Sequence, residues 1–226
     1  AMATRLQYSG VRLDQPSSAS TPSSDPMRRL VIETSGADCS IALLDGQDII
    51  AERHERVGRG HAERLIPWIA ALPAGGRADE ILVGCGPGSF TGVRIAIAAA
   101  RGLAIGWGVP VHGVSSLALV AVGQSEPALT VAVEGGHGEI FVQDFMLAPF
   151  YQAGPMRSLT PEAAAQLSTN ACVAGSGADR LVAARGYGTA VNGEARASQA
   201  RLLPEAFTTL PARPVYGRGA DAKAMA

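Results

Sequence analysis

The stretch RLVIETSGADCSIALLD, residues 29–45, is an apolar run that ends in an acid, followed by a glycine-containing turn and a second apolar run. The stretch LTVAVEGGHGEIFVQDF, residues 129–145, repeats this pattern with Glu134 in the place of Glu33 and a slightly shorter turn. Apolar runs bounded by glycine predict β-strands, and self-similarity between the halves predicts a duplication. We therefore expect the same β-hairpin to occur twice, once in each half of the chain.

The segments between and after the hairpins predict a mixed α/β layer. HAERLIPWIAAL (61–72) has apolar residues at helical spacing, whereas EILVGCG (80–86) and VPVHGVS (109–115) suit buried strands. A duplicated unit with an acid-tipped hairpin in each half is typical of the actin-like, ribonuclease H-like architecture. We expect an α/β fold of two lobes, with mixed sheets flanked by helices, at residues 27–113 and 114–226.

The composition excludes several classes of function. Of 226 residues, 47% are hydrophobic and 17% are charged, which is typical of a globular protein. The formal net charge is -1 without a basic block, so we expect a partner to supply most contacts to any RNA. We find no secretion signal and no apolar run of about 20 residues, which predicts a cytoplasmic protein without a membrane anchor. Residues 1–26 are rich in Ser and Pro and are expected to be a disordered leader or tag.

The cysteines and histidines are scattered along the chain, and their spacing predicts neither a disulfide framework nor a metal site. No two histidines share the helical i, i+4 spacing, and no serine elbow for nucleophilic hydrolysis is found. The residues concerned are Cys39, Cys85 and Cys172, and His54, His61, His112 and His137.

The turn GPGSFTG (86–92) joins a predicted strand to a predicted helix, an arrangement that offers free backbone N–H groups to an anion. It lacks the lysine of a Walker loop, and a tight strand-to-helix turn with Thr91 as N-cap explains it equally well. In actin-like ATPases an aspartate lies at the end of the first strand, where this chain has the longer Glu33. We therefore predict a degenerate phosphate-binding set: Glu33, Ser35, Gly36, Gly86, Gly88, Ser89 and Thr91.

The helix predicted at residues 91–107 consists largely of small and apolar residues. Such a helix must be covered on both sides, by its own sheet and by either the second lobe or a partner subunit. Without a partner, this face would pair with a second copy, so a homodimer is expected for the isolated chain. The predicted partner interface comprises Arg94, Ile95, Ala98, Ala99, Gly102, Leu103 and Gly106.

Six segments occur in the order seen in the TsaB family, the bacterial tRNA threonylcarbamoyladenosine biosynthesis proteins, also described as glycoprotease-like. They are LVIETSGADCSIAL, HAERLIPWI, GPGSFTGVRIAIAAARGLA, VPVHGVSSL, GEIFV and PVYGR, and the resemblance covers about residues 27–218. GPGSFTGVR followed by a small-residue helix is the most specific of these segments.

The resemblance implies a non-catalytic scaffold that pairs with and activates the paralogous TsaD transferase in the modification of adenosine 37 of tRNA. It implies the ATPase TsaE as a further partner, tRNA contact through the complex, and the small-residue helix in the TsaD interface. This chain would need no cofactor, although ATP or ADP is possible in the complex. The metal-binding histidine pair of TsaD has no counterpart in VSSLALV, residues 114–120.

Two alternatives remain open from the sequence. One is a small ATPase or glycoprotease-like peptidase of the same fold, and the other is a homodimeric structural module. The second hairpin also departs from the family, because Glu134-Gly135-Gly136 lacks the arginine usually found there. This departure puts a phosphate or tRNA contact at that hairpin in doubt.

Overall fold

Two mixed β-sheets form the framework of the structure, a computed structural model that describes residues 27–58 and 60–216. The first sheet has the order β3-β2-β1-β4-β5, and the second has the order β11-β10-β6-β7-β8, with β9 also paired to β7. The strands are β1 Arg28–Glu33, β2 Asp38–Asp45, β3 Asp48–Arg56, β4 Glu80–Gly84, β5 Val111–Val114, β6 Ala128–Gly136, β7 Glu139–Leu147, β8 Phe150–Gln152, β9 Arg157–Leu159, β10 Cys172–Ala174 and β11 Thr189–Val191.

Five α-helices pack against these sheets: α1 His61–Ala71, α2 Phe90–Trp107, α3 Ser116–Val122, α4 Pro161–Ala165 and α5 Ala178–Arg185. Within the described residues, none of the helices has the length and apolar character needed to cross a membrane. The predicted leader at residues 1–26 and the end of the PVYGR segment lie outside the described part of the chain.

The predicted duplication is confirmed by the strand pairing. In the first sheet β1 is antiparallel to β2 and parallel to β4, and in the second sheet β6 is antiparallel to β7 and parallel to β10. Both sheets therefore place a hairpin strand at their centre and a crossover strand beside it. This repeated order is the mixed α/β, actin-like architecture that the two acid-tipped hairpins predict.

Helix α3 lies at the centre of the molecule because its residues are apolar on all sides. Leu117, Leu119 and Val120 share one core cluster with Val31 and Leu82 of the first sheet. The same cluster includes Leu129, Val131 and Phe145 of the second sheet. A separate cluster buries α1 and α2 on the other face of the first sheet, so the outer face of α2 is left toward solvent.

The start of α2 corrects one detail of the sequence analysis. The helix begins at Phe90 and its N-cap is Ser89, whose hydroxyl oxygen accepts a hydrogen bond from the Gly92 N–H at 3.2 Å. Thr91 is an exposed residue in the first turn and does not cap the helix. Ser89 takes this role because its own N–H donates to the Ser35 carbonyl oxygen at 2.6 Å, which fixes its backbone at the entry to the helix.

Glycines allow the start of α2 to approach the β1–β2 turn closely. A Cβ at Gly92 would overlap the Thr34 carbonyl oxygen, and a Cβ at Gly88 would overlap that of Ser35. The buried Thr34 hydroxyl in turn donates to the Gly92 carbonyl oxygen at 2.7 Å. The helix is therefore fixed to the end of β1 by backbone contacts that tolerate no side chain at these positions.

Replacement of two glycines of the same helix tests this close approach. We expect Gly92→Ala to destabilise the protein by about 1–3 kcal/mol, because the added methyl group forces the helix away from Thr34. Gly102→Ala is the matched control, since a Cβ there meets nothing within 4 Å and stability should rise by about 0.5–1 kcal/mol. Urea unfolding measures both, and equal effects would contradict the proposed packing.

Candidate functional site

A cleft of about 280 Å³ opens between the two duplicated hairpins. The β1–β2 turn and the start of α3 line one side, and the end of β6 and the loops after β10 and β11 line the other. Of the predicted phosphate-binding residues, Glu33, Ser35 and Gly36 line this cleft. The cleft thus lies between the ends of the two central strands.

Glu33 is buried at the wall of this cleft, and its carboxylate is hydrogen-bonded to other residues of the protein. Its carboxylate accepts hydrogen bonds from the Ser35 N–H at 2.5 Å and from the Ser116 hydroxyl at 2.6 Å. A Cβ at Gly84 would overlap this carboxylate, so the glycine leaves the space that the longer acid occupies. Burial raises the pKa of Glu33 above its ordinary value, although the hydrogen bonds from Ser116 and Ser35 oppose this shift.

The charges around the cleft are mostly negative. Among the described residues that line it, four are acidic and one, Arg56, is basic; the acidic residues are Glu33, Asp38, Glu134 and Glu194. Two of the four are paired with arginines outside the lining, Glu134 with Arg180 and Glu194 with Arg196. A polyphosphate placed here would face like charges in a partly desolvated environment, which is unfavourable. The acidic residues of the cleft lining therefore disfavour a bound anion.

The second hairpin obtains its arginine from another element. Arg180 of α5 forms an ion pair with Glu134 at 2.7 Å and donates to the Gly138 carbonyl oxygen at 2.7 Å. The arginine that is absent from the hairpin sequence is thus replaced by one that ties the hairpin to α5. The Arg180 guanidinium thus has two acceptors on the second hairpin, the Glu134 carboxylate and the Gly138 carbonyl oxygen.

The other predicted phosphate-binding residues, Gly86, Gly88, Ser89 and Thr91, are not among the residues that line the cleft. Gly86 and Ser89 use their polar groups in hydrogen bonds inside the protein. The Gly86 N–H donates to the Ser116 hydroxyl at 3.1 Å, and the Ser89 N–H donates to Ser35. The glycine-rich turn therefore acts here as the connection between α2 and the cleft wall.

The outer face of α2 is the second candidate site. Among the residues predicted for the interface, Arg94, Ala98, Gly102 and Gly106 are exposed. The other three, Ile95, Ala99 and Leu103, are half-buried and pack against the first core cluster. One face of the helix thus exposes small residues to solvent, whereas the adjacent positions pack against the core cluster of the first sheet.

Sequence reasoning missed two large residues on this face. Ile105 is 85% exposed and Phe90 is 58% exposed, and both belong to α2. Ile105 lies three residues after Gly102 and seven after Ala98, so helical spacing could have placed it on the same face. Two exposed apolar side chains beside a row of small residues form an apolar surface, and such surfaces are typical of protein–protein interaction sites.

The carboxyl-terminal segment extends the same surface. Val215 donates its N–H to the Cys85 carbonyl oxygen at 2.9 Å, which brings Tyr216 next to the first turn of α2. The Arg94 guanidinium donates to the Tyr216 hydroxyl at 2.8 Å and lies 3.3 Å from the centre of the Phe90 ring. We call the exposed residues of α2 together with Tyr216 the α2 surface. No local pattern in the sequence predicts this return of the chain.

The repeated strand order and the cleft between the hairpins define an actin-like α/β protein. A solved structure of YeaZ from Pseudomonas aeruginosa is similar to it with a TM-score of 0.72 and 29% identity, over 84% of this chain and 99% of that one. A family model described as TsaD, tRNA N6-adenosine threonylcarbamoyltransferase, matches residues 49–149.

Curated proteins from two bacteria are similar to part of the chain. The chain is 34% identical over 128 residues to the TsaB protein of Escherichia coli, covering 53% of this chain and 55% of that protein. It is 37% identical over 100 residues to the TsaB protein of Bacillus subtilis, covering 42% and 44%. The matched region spans about half the length of these curated relatives. Over this region the chain is similar to the TsaB proteins.

The buried Glu33 predicts a pH-dependent difference between the wild type and Glu33→Gln. Because the folded-state pKa lies above the ordinary value of 4.5, protonation of Glu33 favours the folded state. This stabilisation is complete below the unfolded pKa and is lost as pH rises through the folded pKa. Glutamine stays neutral, so the wild type should lose stability relative to Glu33→Gln as the pH rises above the ordinary pKa of 4.5.

Urea unfolding of both proteins across this pH range measures the difference. Glu33→Ala is the comparison for volume, and it should be less stable than Glu33→Gln because it leaves the Ser35 N–H and the Ser116 hydroxyl without their acceptor. If the wild type instead gained stability relative to Glu33→Gln as the pH rises, the Glu33 pKa would be lowered by folding, which would contradict the assigned upward shift.

Proposed function

We propose that the chain is a non-catalytic subunit in tRNA threonylcarbamoyladenosine biosynthesis, where it pairs with and activates a TsaD-type transferase. The relatives from Escherichia coli and Bacillus subtilis carry the name of this pathway, and the matching family model describes a transferase of the same fold. Two paralogues of one fold with complementary apolar faces would form such a pair. ATP or ADP and the ATPase TsaE belong to the assembled complex in this proposal.

The observation that carries the proposal is the exposed α2 surface. Cβ atoms added at Gly102 and Gly106 would meet nothing within 4 Å, so a partner helix has room to approach the backbone here. Covering Ile105, which is 85% exposed, contributes about 1.5–3 kcal/mol to association. In the isolated chain the same surface would pair with a second copy, which gives a homodimer.

The cleft supports a role without chemistry of its own. Its carboxylates disfavour a nucleotide, and Glu33 and Ser116 are bound to each other at 2.6 Å. The formal net charge of -1 also provides no broad positive field for tRNA, so tRNA would be held by the complex. The alternative of an ATPase or peptidase requires a reactive constellation that these contacts do not offer.

Ala98→Arg tests the α2 surface. Ala98 is exposed on α2, so the variant should fold normally. In the complex with the transferase, however, the added guanidinium would be buried in the interface without an opposite charge to pair with. That cost is several kcal/mol, and we expect the affinity for the TsaD-type partner to fall at least about 100-fold. Light scattering after size exclusion measures both the pair with the transferase and the homodimer.

Ala183→Arg is the matched control, because Ala183 is an exposed alanine of α5, away from the proposed interface. It should pair with the transferase and support tRNA modification in a reconstituted reaction as the wild type does. An Ala98→Arg protein that melts normally and still supports full modification would place the interface elsewhere. Ala99→Arg is a poorer probe, since Ala99 packs against the core.

The absence of intrinsic catalysis is a separate prediction. The purified chain should show no ATP hydrolysis above the level of a Glu33→Ala variant, because a phosphate group would meet the carboxylates of the cleft. A malachite-green assay for released phosphate measures this rate. Robust turnover by the wild type that Glu33→Ala abolishes would favour the ATPase alternative over the scaffold.

A further inference from the structure

We propose that the mouth of the cleft holds a divalent metal site, with Zn²⁺ as the best-suited ion, formed by Asp38, His54 and Glu194. These residues come from the start of β2, from β3 and from the loop after β11. Each offers one ligand atom, and these atoms all lie within 4.8 Å of one another. The sequence gives no sign of the site, because its members are far apart along the chain and belong to both halves of the duplicated fold.

The geometry of the pair His54–Glu194 is suitable for a metal. The His54 Nε2 atom lies 3.1 Å from the Glu194 Oε2 atom. Two ligands on one tetrahedral zinc, at bonds of about 2.0–2.1 Å, are separated by roughly 3.3 Å. These two atoms therefore need almost no movement to share an ion, whereas Asp38 needs only a small shift of its side chain toward them.

The surroundings of the three side chains leave them available to an ion. The described residues offer Asp38 no ion pair, and the buried Nδ1 atom of His54 has no hydrogen-bond partner among them. Without a partner at Nδ1, the proton can lie there while the Nε2 lone pair binds the metal. Arg196 pairs at 2.8 Å with the same Oε2 atom of Glu194, so zinc would have to share this oxygen with the guanidinium or bind the second carboxylate oxygen.

The donor set favours zinc over magnesium. One imidazole and two carboxylates suit Zn²⁺, whereas Mg²⁺ prefers oxygen ligands alone. The cysteines compete poorly, because burial raises the pKa of Cys39 to about 11 and that of Cys85 to about 11. Cys172 also has a raised pKa for the same reason. A bound ion would be held by the carboxylates and the imidazole.

The site would join the two halves of the molecule. Asp38 and His54 belong to the first sheet, whereas Glu194 follows the last strand of the second sheet. Asp38 and Glu194 also line the cleft, so an ion between them would fix its width. Metal binding should therefore stabilise the native arrangement of the two halves in addition to filling the site.

Isothermal titration of the metal-free full chain with zinc chloride tests the proposal. We expect saturable binding of one ion, a higher Tm in its presence and no comparable response to magnesium chloride. Glu194→Gln and His54→Gln should each weaken zinc binding at least about 10-fold and remove the rise in Tm. His137→Asn is the control, since His137 lies outside the cluster, and it should bind zinc as the wild type does.

The two substitutions also show where on the chain the ion binds. If Glu194→Gln and His54→Gln bind zinc as tightly as the wild type, the ion lies elsewhere and the proposal is wrong. If the wild type shows no saturable binding, the proposal is equally wrong, and His54 and Glu194 form an ion pair alone. Circular dichroism of each variant at neutral pH shows whether it is folded, and Asp38→Asn provides a third variant should one of them fail to fold.

Discussion

The arrangement of the whole first half depends on one close backbone contact, that between the start of α2 and the β1–β2 turn. The Ser89 N–H donates to the Ser35 carbonyl oxygen at 2.6 Å, and the Thr34 hydroxyl donates to the Gly92 carbonyl oxygen at 2.7 Å. Only glycine at positions 88 and 92 permits this approach. The contact fixes the helix to the end of β1 and so determines which of its faces is left toward solvent.

The same contact explains why the hairpin has an architectural role in this chain. The Ser89 N–H donates to the Ser35 carbonyl oxygen and the Gly86 N–H donates to the Ser116 hydroxyl, so both groups are bound within the protein. The carboxylate at the end of β1 is buried and accepts hydrogen bonds from Ser35 and Ser116. Glu33, Ser89 and their glycine neighbours thus stabilise the frame, whereas the exposed apolar side chains lie on α2. The proposed function follows from this division between structural contacts at the cleft and an exposed face on α2.

Much of the fold could be predicted from residues 29–45 and 129–145, because strands that are buried along most of their length leave continuous apolar runs in the sequence. The spacing of the small residues in α2 is likewise visible in the sequence, so the helix and its small-residue face could be predicted. The return of Tyr216 to Arg94 could not be predicted, since it depends on the path of a segment without regular periodicity. The cluster of Asp38, His54 and Glu194 escapes prediction for a related reason, as it requires the relative position of both sheets. The sequence does not separate Thr91 from Ser89 as the cap, because both are good N-caps and only the backbone distinguishes them.

The most direct test of the central claim is hydroxyl-radical footprinting of the chain with and without the proposed TsaD-type partner. If the α2 surface is the interface, oxidation of Phe90 and Ile105, which are 58% and 85% exposed in the isolated chain, should fall strongly in the complex. Tyr151 and Tyr187 of the second half, which are 46% and 50% exposed, should be oxidised equally in both states. A complex that protects these tyrosines and leaves Phe90 and Ile105 fully reactive would contradict the account.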